Sequence, residues 1–242
     1  MIGLVDCNNF FVSCERLFNP SLEGKAVVVL SNNDGCVISR SNEAKALGIP
    51  MGVPAFKIKE YTNPLNVVTL SCRHVIYRDI SDRVMALIGN YVESIQIYSV
   101  DECFFKLPYE DDERNYKFVR ELASTIKRYT GIPVSIGVAP SRTLAKIASH
   151  IAKKTRNGID NVYLLTREEQ FEPVLKTIPV GDVWGIGRRL NEKLLRNRVL
   201  TAYDLSISPM SWIKCMFTIN EERIVRELKG EDCAKINAID EP

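Results

Sequence analysis

The chain has 242 residues, 45% of them apolar and 26% charged, with a formal net charge of +2. That is the make-up of a globular chain with one large or two modest domains, and it excludes a disordered or collagen-like protein. Aliphatic runs such as Ala26-Val27-Val28-Val29-Leu30 fall far short of the roughly 20 apolar residues of a membrane helix. The opening MIGLVDCNNFF lacks a basic stretch and carries Asp6, so no secretory signal is expected. The seven cysteines are odd in number, with no CxxC spacing, which points to reduced thiols in a cytoplasmic protein rather than a disulfide framework or zinc site. With only His74 and His150 present, chemistry built on a histidine cluster has little to work with.

In chain order, residues 2–6 (IGLVD) read as an apolar strand ending in a carboxylate. Asn8 or Asn9 is placed to cap a following helix with Phe10, Cys14 and Leu17 facing inward. Residues 26–31 read as a buried strand. Residues 32–54 are rich in Asn, Gly and Ser, with a helix near 41–47 stopped by Gly48 and Pro50. An amphipathic helix is predicted over 77–91, on Tyr77, Ile80, Val84, Leu87, Ile88 and Tyr91. Residues 95–107 (IQIYSVDECFFKL) read as two strands around a tight turn at Val100–Glu102. A helix over 113–129, a strand over 134–138 and a helix over 141–154 follow, the last capped by Ser141 with Leu144, Ile147, Ala148 and Ile151 as its apolar face. Beyond a boundary near 166 the pattern is mostly helical, with loops at 181–187 and 206–209. The closing INAIDEP reads as an interdomain linker.

Asp101 and Glu102 read either as a plain polar turn or as two of three carboxylates that converge with Asp6 if their strands are neighbours. Such carboxylates repel and raise one another's pKa. A pair of magnesium ions removes that cost and suits phosphate chemistry. Lys146, His150 and Lys153 recur at i, i+4 and i+7, on the helix face opposite the apolar stripe. Basic residues also concentrate over 142–156 (Arg142, Lys146, Lys153, Lys154, Arg156) and 185–200 (Arg188, Arg189, Lys193, Arg196, Arg198).

The segments GLVDCNNFFVSCE, YSVDECFF and GVAPSRTLAKIASHIAK resemble, in order and spacing, the catalytic motifs of the Y-family (translesion) DNA polymerases. LSNNDGCVISRSNEAKALGIPMG and DVWGIGRR resemble the UmuC-type subfamily, the catalytic subunits of bacterial DNA polymerase V. The likeness runs from residue 1 to about 235. It implies an α+β right-hand fold: an antiparallel palm over 1–25 and 74–165, small α/β fingers over 26–73, and an all-helical thumb over 166–235 containing a helix-hairpin-helix. Residues 236–242 would begin the linker to a little-finger domain, so the chain is expected to be the catalytic core of a longer protein.

The resemblance implies error-prone, template-directed addition of a dNTP to a primer 3′-hydroxyl, with two Mg²⁺ held by Asp6, Asp101, Glu102 and the backbone carbonyl of Cys7. Phe11 matches the steric gate, where the family usually has Tyr. Ser39, Lys45 and Lys153 match triphosphate contacts, and Ile38 matches a residue covering the nascent base pair. Asn42 stands where many relatives have a phosphate-binding Tyr. Gly185, Gly187, Arg188 and Arg189 match a turn that holds DNA phosphates. Implied partners are primer-template DNA, a UmuD-type accessory subunit, a recombinase filament and a sliding clamp. Two rival readings remain at this point: a non-catalytic scaffold of the same fold, and another palm enzyme such as a nucleotidyl cyclase. Trp184 and Trp212 read as core residues, His74 has no assigned role, and the cysteines other than Cys7 read as small apolar fillers.

Overall fold

A computed structural model describes residues 1–154 and 161–233. Arg156 and the 236–242 linker segment lie outside the described residues. The elements run β1 (Ile2–Cys7), α1 (Phe10–Phe18), β2 (Ala26–Leu30), β3 (Val37–Arg40), α2 (Asn42–Ala46), β4 (Val67–Ser71), α3 (His74–Gly89), β5 (Ile95–Ile97) and β6 (Glu102–Lys106). They continue with α4 (Asp112–Thr130), β7 (Val134–Ala139), α5 (Arg142–Lys154), β8 (Val162–Leu164), α6 (Glu168–Leu175), α7 (Arg188–Arg196), α8 (Ala202–Ser206), α9 (Met210–Met216) and α10 (Ile219–Leu228). The fold is α+β, with strands interleaved with helices through Leu164 and helices joined by loops over the described residues that follow.

The main sheet has five strands in the order β5-β6-β1-β7-β8. β1 lies between two antiparallel neighbours, and its register sets Asp6 opposite Glu102 on one side and Ser135 on the other. Both faces of β1 are covered, which is why it is apolar without alternation. Ile2 and Leu4 enter one core with α5 and the C-terminal helices. Val5 and Cys7 enter the other, with α1, α3 and α4. α5 presses closely on β7, because a Cβ at Gly137 would meet the backbone of Ser149 and Ala145 at 2.1 and 2.3 Å. Only glycine permits that approach, and the approach brings the α5 lysines to the paired ends of β1 and β6. A second sheet, β3-β2-β4, packs around its own cluster of Val28, Leu30, Val37, Ala44 and Ile49.

Several details differ from the sequence reading. The turn before β6 spans residues 98–101, and Glu102 is the first residue of the strand rather than part of the turn. β1 extends one residue beyond Asp6, to Cys7. Leu17 and Tyr91 are exposed: α1 meets solvent in its last turn, and Tyr91 lies past the end of α3. Cys215 is exposed too, so it is no core filler. Periodicity missed β3, which lies in the Asn/Gly/Ser-rich stretch read as loop, and β4, which is too short to show a period.

Candidate active site

A cleft of about 330 Å³ opens between the two sheets, lined on one side by Asp6, Asp101 and Glu102 and on the other by Phe11, Arg40 and Lys45. Cys7, Ile38, Ser39 and Lys153 line it as well. The carboxylates converge because β1 and β6 are paired and the Cys7 amide donates to the Asp101 carbonyl at 2.9 Å, tying the turn to the end of β1. Asp101 Oδ1 accepts a bond from Ser99 Oγ at 2.7 Å.

Burial pushes the Asp6 carboxyl up to about 6. Lys153 opposes that rise, while the charges of Glu102 and Asp101 add to it. Lys153 Nζ pairs directly with Asp6, and Lys146 Nζ donates to both oxygens of Glu102, at 3.0 and 3.2 Å. Asp6 and Glu102 are held by the α5 lysines and Asp101 by Ser99, and among the described residues no three His, Cys, Asp or Glu side chains form a ready-made metal cluster. Their donor chemistry nonetheless suits a hard divalent cation, since all three offer carboxylate oxygen. The Cys7 thiol is buried in the core, and burial holds it well above the ordinary thiol range.

The fingers side is cationic with neutral partners. Lys45 Nζ donates to Asn9 Oδ1 at 2.6 Å, and Asn9 Nδ2 donates to Asn42 Oδ1 at 3.0 Å. Asn9 thus forms no side-chain cap on α1; at φ 49° it sits in the left-handed region, and its amide bridges to α2 instead. Arg40 donates to the Ile49 carbonyl at 2.6 Å, and its Nε is buried with no partner. Burial, then the charges of Arg40 and Lys153, hold Lys45 below the usual lysine range. Sequence reasoning missed Asn9 and Arg40. The basic content of SRSNEAK could have suggested Arg40, whereas nothing local suggests the bridging role of Asn9.

Phe11 stacks on Tyr77 with ring centroids 4.6 Å apart. The Tyr77 hydroxyl donates to buried Glu15 at 2.6 Å, and Arg73 donates to the same carboxylate. His74, given no role from sequence, meets Phe11 edge-on and contacts Asn32 Oδ1 at 3.0 Å.

Gly185, Gly187, Arg188 and Arg189 are not among the residues lining this cleft. Gly185 adopts φ +89°, open to glycine and strained for other residues, and Gly187 precedes α7. Arg188 is almost fully exposed, with only a local pair to Glu192. Trp184 is not simply core. It lines a second cavity of about 250 Å³ that shares Asp6, Glu102 and Lys153 with the cleft. His150 also lines it, and burial followed by the charge of Lys154 holds its pKa below the ordinary histidine value. No helix among the described residues is long and apolar enough to cross a membrane.

The chain is 44% identical to protein UmuC of Salmonella typhimurium over 98% of its own length and 56% of the relative's. It is 34% identical to DNA polymerase IV of Picrophilus torridus over 80% of its length and 55% of the relative's. The chain therefore spans little more than half the length of these curated relatives. Its fold matches that of a Y-family DNA polymerase chimera, Dbh-Dpo4-Dbh, with a TM-score of 0.80 at 23% identity, covering 97% of this chain and 71% of the other. Residues 5–150 match the model of the impB/mucB/samB family, a span that holds all three cleft carboxylates and the Lys146 paired with Glu102, and the chain belongs to that family.

Proposed function

We propose that this chain is the catalytic core of an error-prone, template-directed DNA polymerase that extends a primer across damaged template. One observation carries the reading: two carboxylates on adjacent strands and a third in the turn before β6 face a cluster of cations across one cleft, with an aromatic ring at its side. In this reading the primer 3′-oxygen bonds to the α-phosphorus of a dNTP, the bond to the bridging oxygen breaks, and pyrophosphate leaves. Asp6, Asp101, Glu102 and the Cys7 carbonyl would hold two Mg²⁺, which when bound would activate the hydroxyl and neutralise charge on the leaving group. Lys45, Lys153 and Ser39 hold the triphosphate, with Arg40 beside them. Phe11 crowds the sugar 2′ position, Tyr77 backs its ring, and Ile38 covers the nascent pair.

The same proposal assigns residues 1–25 and 74–165 to the palm, 26–73 to the fingers and 166–235 to the thumb. Gly185, Gly187, Arg188 and Arg189 grip DNA phosphates without regard to sequence. A UmuD-type subunit, a recombinase filament and a sliding clamp are the proposed protein partners in a cytoplasmic damage response. The scaffold alternative keeps DNA binding and gives up the chemistry.

Single-nucleotide primer extension with Mg²⁺ and each dNTP at low salt tests the reading. Template-directed extension is expected, with a loss of at least about 10²-fold in Asp101→Ala/Glu102→Ala, the scale of removing preorganised charge from a polar transition state. Undiminished extension by that variant would sink the assignment. Primer-template binding with no extension by either protein would favour the scaffold.

A further inference from the structure

Lys146 occupies an aromatic cage. Its Nζ lies 4.4 Å from the centroid of the Tyr98 ring and 4.9 Å from that of Trp184, while it donates to both oxygens of Glu102. The two rings meet edge to face at 5.3 Å and 89°, and the Trp184 indole Nε1 donates to the Tyr98 hydroxyl at 3.1 Å. Lys146 and Glu102 are each only 17% exposed. Three distant pieces of chain therefore meet at one ammonium: the turn before β6, the middle of α5, and the segment leading into α7.

We infer that Tyr98 and Trp184 are positioning residues that act on Glu102 through Lys146, clamping the ammonium on the carboxylate and so setting how readily Glu102 takes a divalent cation. The inference rests on the reading of Glu102 as a metal ligand. A free surface lysine leaves its carboxylate at little cost, because water replaces the pair. A lysine between two ring faces has little water to turn to, and each face adds attraction that grows with desolvation. A cation approaching Glu102 must displace this clamped lysine. Trp184 directly precedes Gly185, whose φ of +89° begins the turn into α7. Movement of that turn would carry away one wall of the cage, so readiness of the metal site is tied to the position of α7.

The test is Mn²⁺ binding to the full chain without DNA or nucleotide, followed by electron paramagnetic resonance. Trp184→Leu leaves the charge unchanged and is expected to tighten Mn²⁺ by about three- to tenfold, the range that loss of a desolvated cation–π contact implies. Tyr98→Phe keeps the ring and removes the indole's acceptor, and is expected to tighten binding by less. Trp184→Phe keeps a ring face and is expected to lie nearer wild type. Lys146→Gln should tighten binding at least as much as Trp184→Leu, although lost charge alone contributes there. Wild-type affinity in both Trp184→Leu and Tyr98→Phe would overturn the clasp. Should Trp184→Leu fail to fold by circular dichroism, Tyr98→Phe decides. Glu102→Gln separates the two layers: weakened Mn²⁺ binding there, with no change in the cage variants, sinks the clasp alone. Unchanged Mn²⁺ binding in Glu102→Gln overturns both the clasp and the ligand role of Glu102.

Discussion

The two cationic walls of the cleft are built on opposite terms. On α5, Lys153 at the cleft and Lys146 in the adjoining cavity each hold a carboxylate, so their charge is answered within the protein. On the fingers side, Lys45 rests on the Asn9 amide and Arg40 on a backbone carbonyl. Neutral partners orient a cation without cancelling it. The consequence shows in Lys45, held below the usual lysine range by burial and then by its cationic neighbours. An uncompensated, partly dehydrated cation gains most when an anion arrives. The β3–α2 wall thus carries charge that the protein leaves unanswered, and α5 carries charge that carboxylates answer.

Three substitutions and one titration break or sharpen that contrast. Lys45→Gln carries the largest expected effect: a fall of about 10²-fold in kcat/KM for dNTP addition, mostly in KM, with Mn²⁺ binding in the absence of nucleotide unchanged. Lys146→Gln should do the reverse, moving metal affinity while shifting the nucleotide KM little. If both substitutions moved both readouts equally, the walls would not differ. Phe11→Ala, which opens the space beside the fingers wall, should reduce selection against ribonucleotides by up to about 10²-fold, the scale on which a pocket rejects an added hydroxyl. Unaltered sugar selection would remove Phe11 as the gate.

The smallest effect is a pH slope. Burial raises Asp6 to about 6 from a usual carboxylate value of 3.8. Between those values the folded chain binds the proton and the unfolded chain does not, so stability is lost as pH rises through this window. Without added metal, the melting temperature should fall across it in wild type and fall less in Asp6→Asn. Identical slopes would show that Asp6 titrates normally.

Much of the cleft was legible from short-range pattern. The apolar strand carrying Asp6, an aromatic strand after a turn near Val100–Glu102 and the spacing of Lys146, His150 and Lys153 each follow from strand or helix geometry, which a few neighbouring residues determine. The family resemblance added Phe11, Ser39 and Lys45, all of which line the cleft. The pairings were not legible. Lys146 meets Glu102 across 44 residues of sequence and Lys153 meets Asp6 across 147, and no local signal states such a partner. The same holds for Asn9, whose left-handed backbone turns a nominal helix cap into a bridge between α1 and α2.

By itself, then, the sequence determined which residues share a face and which chemistry each face carries, because periodicity is a property of the local backbone. Only the tertiary structure decided which faces oppose one another. The close approach of α5 to β7 at Gly137 sets the height of the lysines over the carboxylates, and the meeting of Tyr98 with Trp184 around Lys146 depends on packing among segments that no short window of sequence contains.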